Sequence, residues 1–194
     1  MDELAGRIAE LSFLMSQNKP FTLASGHESS FFCDLKPSMM DPKVSFEIAH
    51  LLLNRIQQYN PSYVGGLELG AVPLISQVVM ISDGFIDGGF IVRKKPKGRG
   101  GRATGNPPGI EGIALQQGKK VVILEDVSTT GGSSLKAADY LEMHTDCEVV
   151  AIISVVDRQE GARSAIESSG KSFESLFTIE NLISSGSQAN RQGN

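Results

Sequence analysis

The apolar positions of this chain change period several times, and each change marks an element. Leu4, Ile8, Leu11 and Met15 recur at spacings of four, three and four, which places them on one face of an N-terminal helix that needs an apolar neighbour. Phe21 to Phe32 (F-T-L-A-S-G-H-E-S-S-F-F) breaks that period and reads as a hairpin or two short strands around Ser25-Gly26. Asp41 and Pro42 supply an N-cap and a first-turn proline for a long helix with the stripe Val44, Ile48, Leu51, Leu52 and Ile56. An alternation then sets in: strand Tyr63 to Gly66, helix Ala71 to Ile81, strand Gly89 to Val92, a long loop, strand Val121 to Leu124 and a helix to Met143. Strand Val149 to Val156, helix Ala162 to Ser168 and strand Ser175 to Thr178 complete it. Short apolar runs without polar alternation mark strands buried on both faces. Strands separated by helices imply right-handed crossovers, so the expected fold class is α/β: a largely parallel central sheet flanked by helices, with a small N-terminal hood. From Ser184 (S-S-G-S-Q-A-N-R-Q-G-N) the apolar periodicity stops, and a loose tail over 185–194 is expected.

Composition narrows the function classes. A chain of 194 residues suits one domain, here 1–184, with about 1–40 forming the hood. The net charge of −4 argues against a general nucleic-acid binder, and no apolar run is long enough to cross a bilayer. Asp2, Glu3 and Glu10 do not suit a signal peptide. Cys33 and Cys147 form no C-x-x-C and have no histidines at metal spacing, so a reducing cytoplasm and no protein-held metal centre are expected. His27, His50 and His144 read as structural or solvated.

The chemistry concentrates in two stretches. Val121 to Ser134 (V-V-I-L-E-D-V-S-T-T-G-G-S-S) runs from a buried strand through two carboxylates and a small-residue loop to the start of a helix. Backbone N–H groups and hydroxyls can converge there on a phosphate. Glu125 and Asp126 suit sugar hydroxyls or a metal carried by the ligand, so a ribose 5-phosphate fits the whole. The plain alternative is an ordinary strand-turn-helix with Ser133 as N-cap. G-K-S at Gly170 to Ser172 is no Walker loop, since Ala165 stands where that loop needs glycine. The second stretch packs Arg93, Lys94, Lys95, Lys97, Arg99 and Arg102 into ten positions, among glycines and prolines that forbid a helix. A flexible loop over 93–111 that closes on a polyanion is expected, with diphosphate the obvious candidate. A solvated basic loop or a nucleic-acid patch is the alternative.

E-D-V-S-T-T-G-G-S closely resembles the phosphoribosyl-diphosphate (PRPP) loop of the type I phosphoribosyltransferases. With F-T-L-A-S-G-H-E-S-S-F-F, D-L-K-P-S-M-M-D-P, G-G-L-E-L-G-A-V-P, R-K-K-P-K-G-R and V-V-D-R-Q-E-G, the chain resembles the orotate phosphoribosyltransferase family over roughly residues 4 to 182. That resemblance implies transfer of the phosphoribosyl group of PRPP to orotate, giving orotidine 5′-monophosphate and diphosphate, with Mg²⁺ on the diphosphate and homodimers that share active sites. It implies that Arg93, Lys94 and Lys97 hold diphosphate, with Lys97, Arg99 and Asp126 as the catalytic set. Glu125 and Asp126 are then expected on the ribose hydroxyls, and the run Val127, Ser128, Thr129, Thr130, Gly131, Gly132 and Ser133 at the 5-phosphate. Thr129 and Arg158 are expected to contact orotate, with Phe32 and Cys33 lining the base pocket through their backbone. Read as a plain residue, Arg158 could instead pair with Asp157 or Glu160. Arg99 stands where the family usually has histidine, and Ala24 and Leu69 where many members have lysines. Two rivals follow: a phosphoribosyltransferase of another base, and a PRPP-binding regulatory protein without turnover.

Overall fold

The computed structural model describes residues 1–15, 21–22, 28–29, 31–95 and 105–192. Its centre is a six-stranded sheet built from β5 (Tyr63–Leu67), β6 (Gly88–Val92), β7 (Ile110–Gly112), β8 (Lys120–Ser128), β9 (Glu148–Asp157) and β10 (Ser172–Thr178). The order is β10-β9-β8-β5-β6-β7, parallel throughout except for β7, which pairs antiparallel with β6 at one edge. Strand order reverses between β5 and β8, so the loops leaving these two strands diverge and open a crevice at their carboxyl ends.

Two apolar layers cover the sheet. On one face, α3 (Pro42–Ile56) and α4 (Ala71–Ile81) join α1 (Asp2–Ser12) and α7 (Ile179–Gln192) over Val122, Leu124, Ile153 and Val155. On the other, α5 (Gly132–His144) and α6 (Ala162–Ser168) cover Val121, Ile123, Ile152 and Phe173. The α3 start is the one its sequence announces, since the Asp41 side chain accepts from the N–H groups of Lys43 (3.0 Å) and Val44 (2.9 Å).

Close packing at the switch point depends on Gly65 in β5, where a Cβ would lie 2.2 Å from the Phe90 ring of β6. Phe90 is fully buried and cannot swing aside. Gly65→Ala should therefore destabilise the fold by about 1–3 kcal/mol through overpacking, read as a lowered urea midpoint with an unchanged m-value.

The ends of the chain differ from the sequence expectation. α1 stops at Ser12, and Phe13–Met15 becomes β1, which pairs antiparallel with β4 (Phe31–Cys33). Leu4 and Ile8 are buried as expected, but Leu11 is largely exposed, because a sheet partner for Phe13 to Met15 outcompetes one more helical turn. β2 (Phe21–Thr22) and β3 (Glu28–Ser29) pair antiparallel, as a hairpin requires; the expected turn at Ser25-Gly26, and His27, lie outside the described residues. A short helix, α2 (Lys36–Met40), follows β4. The expected loose tail is instead part of α7, which runs to Gln192. Its start is fixed by a reciprocal cap: Asn181 Oδ1 accepts from Thr178 N–H (2.8 Å) while Thr178 Oγ1 accepts, more weakly, from Asn181 N–H (3.4 Å). Leu182 on α7 is fully buried, and α1 packs against this helix.

Candidate active site

β8 is longer than its apolar core suggests, running on through Glu125 and Asp126 to Ser128. Successive residues of a strand face opposite sides of the sheet, so the acidic pair is divided. Glu125 turns towards α5, buried, and accepts a hydrogen bond from Ser134 Oγ (2.8 Å). Asp126 faces the α4 side and remains partly exposed, with Oδ1 accepting from Val127 N–H (2.9 Å). The loop after β5 comes so close that a Cβ on Gly70 would lie 2.4 Å from the Asp126 carboxylate.

Beyond Asp126 the backbone turns over Gly131, at φ +78°, into α5. Gly131, not Ser133, is the N-cap residue, a left-handed position that suits glycine. Glu125, Val127, Ser128, Thr129, Thr130, Gly131, Gly132, Ser133 and Ser134 enclose a cavity of about 80 Å³ at this helix N-terminus. Ser128 Oγ is buried beside it and has no hydrogen-bond partner among the described residues. An orphaned hydroxyl, exposed hydroxyl side chains and the first N–H groups of a thirteen-residue helix together suit a phosphate group.

Burial, reinforced by the neighbouring charge of Asp126, pushes the Glu125 carboxyl up to about 8. In the unfolded chain it would titrate near 4.5, so between those values the folded protein keeps a proton that the unfolded chain has released. Stability is then greatest on the acidic side of that window and falls as pH rises through it. Urea midpoints of the ligand-free protein should decline between about pH 5 and pH 8, and Glu125→Gln should flatten that decline.

The hood completes the crevice from the other side. In β4, Phe31 carries the Arg158 guanidinium 4.5 Å above its ring, whereas Phe32 turns the other way and lies against Phe21, with ring centroids 5.9 Å apart. Arg158 follows β9 and is buried; its Nε donates to Glu160 Oε1 at 2.8 Å. The pairing with Glu160 that the sequence offered as an alternative is thus present, and so is an aromatic seat that it did not suggest. Burial pushes the Cys33 thiol up to about 12, an effect Arg158 opposes and Asp126 and Asp34 reinforce. The Cys33 thiol therefore stays protonated at neutral pH, and Arg158 and Asp126 both lie near enough to act on it.

Arg93 leaves β6 beside the β5–α4 loop, with Nε 3.2 Å from Glu68 Oε2 and Nη1 3.8 Å from Glu111 Oε2. Glu68 Oε1 also accepts from Lys94 N–H at 2.7 Å, while the Lys94 side chain is exposed. The far root of the basic loop is anchored too: Arg93 N–H donates to Gly109 O (2.8 Å), and Tyr140 Oη donates to Pro108 O. Residues 110 and 111, expected within the flexible loop, belong instead to β7 because β6 offers them an edge. Lys97 and Arg99 lie outside the described residues. Glu68 and Phe31 were missed by sequence reasoning: Glu68 lies in an otherwise apolar loop, and Phe31 could be told from Phe32 only by knowing which way β4 faces.

A family model described as "Phosphoribosyl transferase domain" matches residues 40–181, which agrees with the class that fold and site define: this is a type I phosphoribosyltransferase. Among curated relatives, the orotate phosphoribosyltransferase of Rhodopseudomonas palustris is 40% identical, covering 84% of this chain and 87% of its own. That of Aquifex aeolicus is 36% identical, covering 94% and 97%. Among solved structures, the Mycobacterium tuberculosis orotate phosphoribosyltransferase in complex with Fe(III) dicitrate has a TM-score of 0.78 at 34% identity, covering 93% of this chain and 97% of that one. The same protein in complex with PRPP has a TM-score of 0.71 at 32% identity, with the same coverage. The chain belongs to the orotate phosphoribosyltransferase family.

Proposed function

We propose that the protein transfers the 5-phosphoribosyl group of PRPP to orotate, releasing diphosphate and forming orotidine 5′-monophosphate. The observation that carries this is the cavity of about 80 Å³ at the start of α5, beyond the end of β8, with an orphaned Ser128 hydroxyl beside it. The 5-phosphate would take the N–H groups and hydroxyls of Ser128 to Ser133, leaving the ribose hydroxyls over the strand end for Asp126. Glu125, buried and bound to Ser134, would support the phosphate loop from beneath. Arg158, held flat on Phe31, suits the orotate carboxylate, since a guanidinium pairs with a carboxylate through two parallel hydrogen bonds.

As diphosphate departs, positive charge develops at C1′ while the orotate nitrogen attacks from the other face. Arg93 and Lys94, with Lys97 and Arg99 of the basic loop, would receive the charge that builds on the leaving group. Positioning and electrostatic stabilisation then supply most of the acceleration, and exclusion of water keeps PRPP from hydrolysis. Asp126, partly exposed at the end of β8, is the carboxylate that would take a Mg²⁺ carried by the substrate. Bound there, beside Asp126, Mg²⁺ would neutralise leaving-group charge. We further propose a cytoplasmic homodimer with shared active sites and no nucleic-acid or membrane partner. The exposed apolar face of α4 around Met80, continuous with Ile91, suits a second copy, and no helix among the described residues is long and apolar enough to cross a membrane. A spectrophotometric assay of orotate consumption with PRPP and Mg²⁺ tests the function. Turnover of another base alone, or PRPP binding without turnover, would overturn it.

A further inference from the structure

The geometry points to Glu68 as the positioning residue of the diphosphate end of the site, and it rests on the diphosphate role proposed above for Arg93. The two oxygens of its carboxylate are divided between two partners on one side: Oε2 faces Arg93 Nε (3.2 Å) and Oε1 accepts from Lys94 N–H (2.7 Å). Its own N–H donates to Val92 O (2.9 Å), extending the β5–β6 register by one residue. Glu68 thereby fixes the Lys94 backbone by a hydrogen bond and draws in the Arg93 head by charge, since Arg93 Nε makes no hydrogen bond among the described residues. Two residues further on, Gly70 lies against the Asp126 carboxylate. One short loop, Glu68-Leu69-Gly70, thus sets the distance between the cation meant for the leaving group and the carboxylate meant for the ribose.

A carboxylate beside a diphosphate site works against binding if charge alone decides. What it contributes is order: a long arginine side chain has much rotamer freedom to lose, and a head already drawn into place loses less of it when diphosphate binds. The half-buried setting of the pair, with side-chain exposures of 27% for Arg93 and 22% for Glu68, limits screening by solvent. Glu111 on β7, whose Oε2 lies 3.8 Å from Arg93 Nη1, is a second carboxylate facing this arginine, at the longer distance. The double attachment therefore singles out Glu68.

The test measures binding of inorganic diphosphate with Mg²⁺ by calorimetry, and steady-state constants, for the full-length wild type, Glu68→Ala, Arg93→Ala and the double variant. Glu68→Ala should weaken diphosphate about five- to tenfold and leave the Michaelis constant of orotate unchanged, and the double variant should bind diphosphate like Arg93→Ala. Glu68→Gln, which keeps an acceptor for Lys94 N–H, should fall between wild type and Glu68→Ala and serves if the alanine variant folds poorly. Tighter diphosphate binding by Glu68→Ala, unchanged binding, or effects that multiply in the double variant would each overturn the assignment. If Arg93→Ala itself binds diphosphate like wild type, the role of Arg93 falls first and Glu68 falls with it; a weakened Arg93→Ala beside an unaltered Glu68→Ala sinks Glu68 alone.

Discussion

Asp126→Asn is expected to lower kcat/KM for PRPP by about a hundredfold while leaving the fold stable. Two ribose hydroxyls donating to one carboxylate form charge-assisted hydrogen bonds, each worth about 1.5–3 kcal/mol, and the amide keeps a single weaker acceptor. Asp126 is the partly exposed member of the acidic pair, with Oδ1 accepting from the adjacent Val127 N–H and its carboxyl beside that of Glu125, so an isosteric amide can keep its place on the strand. A second route reaches the same group: a side chain at Gly70 must displace a carboxylate 2.4 Å away, and Gly70→Val should reproduce most of the loss without touching the charge. Steady-state kinetics beside thermal midpoints settle the matter. An Asp126→Asn enzyme within threefold of wild type (a change of only about 0.6 kcal/mol) would remove the ribose from this carboxylate.

The second large effect is expected at Arg158. Truncation to alanine should raise the Michaelis constant of orotate by about tenfold to a hundredfold and that of PRPP by far less, since a bidentate charge-assisted pair contributes several kcal/mol in a site closed to water. Part of the loss would come from the free protein, because Arg158 is buried between Phe31 and Glu160. Arg158→Lys keeps the charge but neither the fork nor the flat stacking face. It should recover little of the orotate affinity. Equal rises for both substrates would assign Arg158 to holding the hood against β9 rather than to the base.

The parallel core was legible because its two central long strands, β8 and β9, carry continuous runs rich in β-branched residues and helical stretches separate the strands; Ala71–Ile81 and Ala162–Ser168 form helices with those bounds. The turn from β8 into α5 was legible for a related reason: a run of small and hydroxyl residues after a buried strand marks a tight turn at a helix start. The hood was harder. Its strands are only two or three residues long, too short for a period to show, and Phe13 to Met15 left the helix only because β4 was there to receive it. β7 is likewise three residues long and exists because the edge of β6 needs a partner.

What the sequence determined by itself was an order of residue types: a buried strand, two acids, a loop of small and hydroxyl residues, and a cluster of cations among glycines and prolines. These follow from residue type and local spacing, which act within a few positions. Only the tertiary structure decided how the acids are used. Because β9 continues to pair with β8 as far as Ser128, the strand does not stop at Leu124, and a strand that continues must send Glu125 and Asp126 to opposite faces. Glu125 is buried against Ser134 of α5, while Asp126 stands partly exposed beside Gly70, an arrangement set by pairing to residues some thirty positions away.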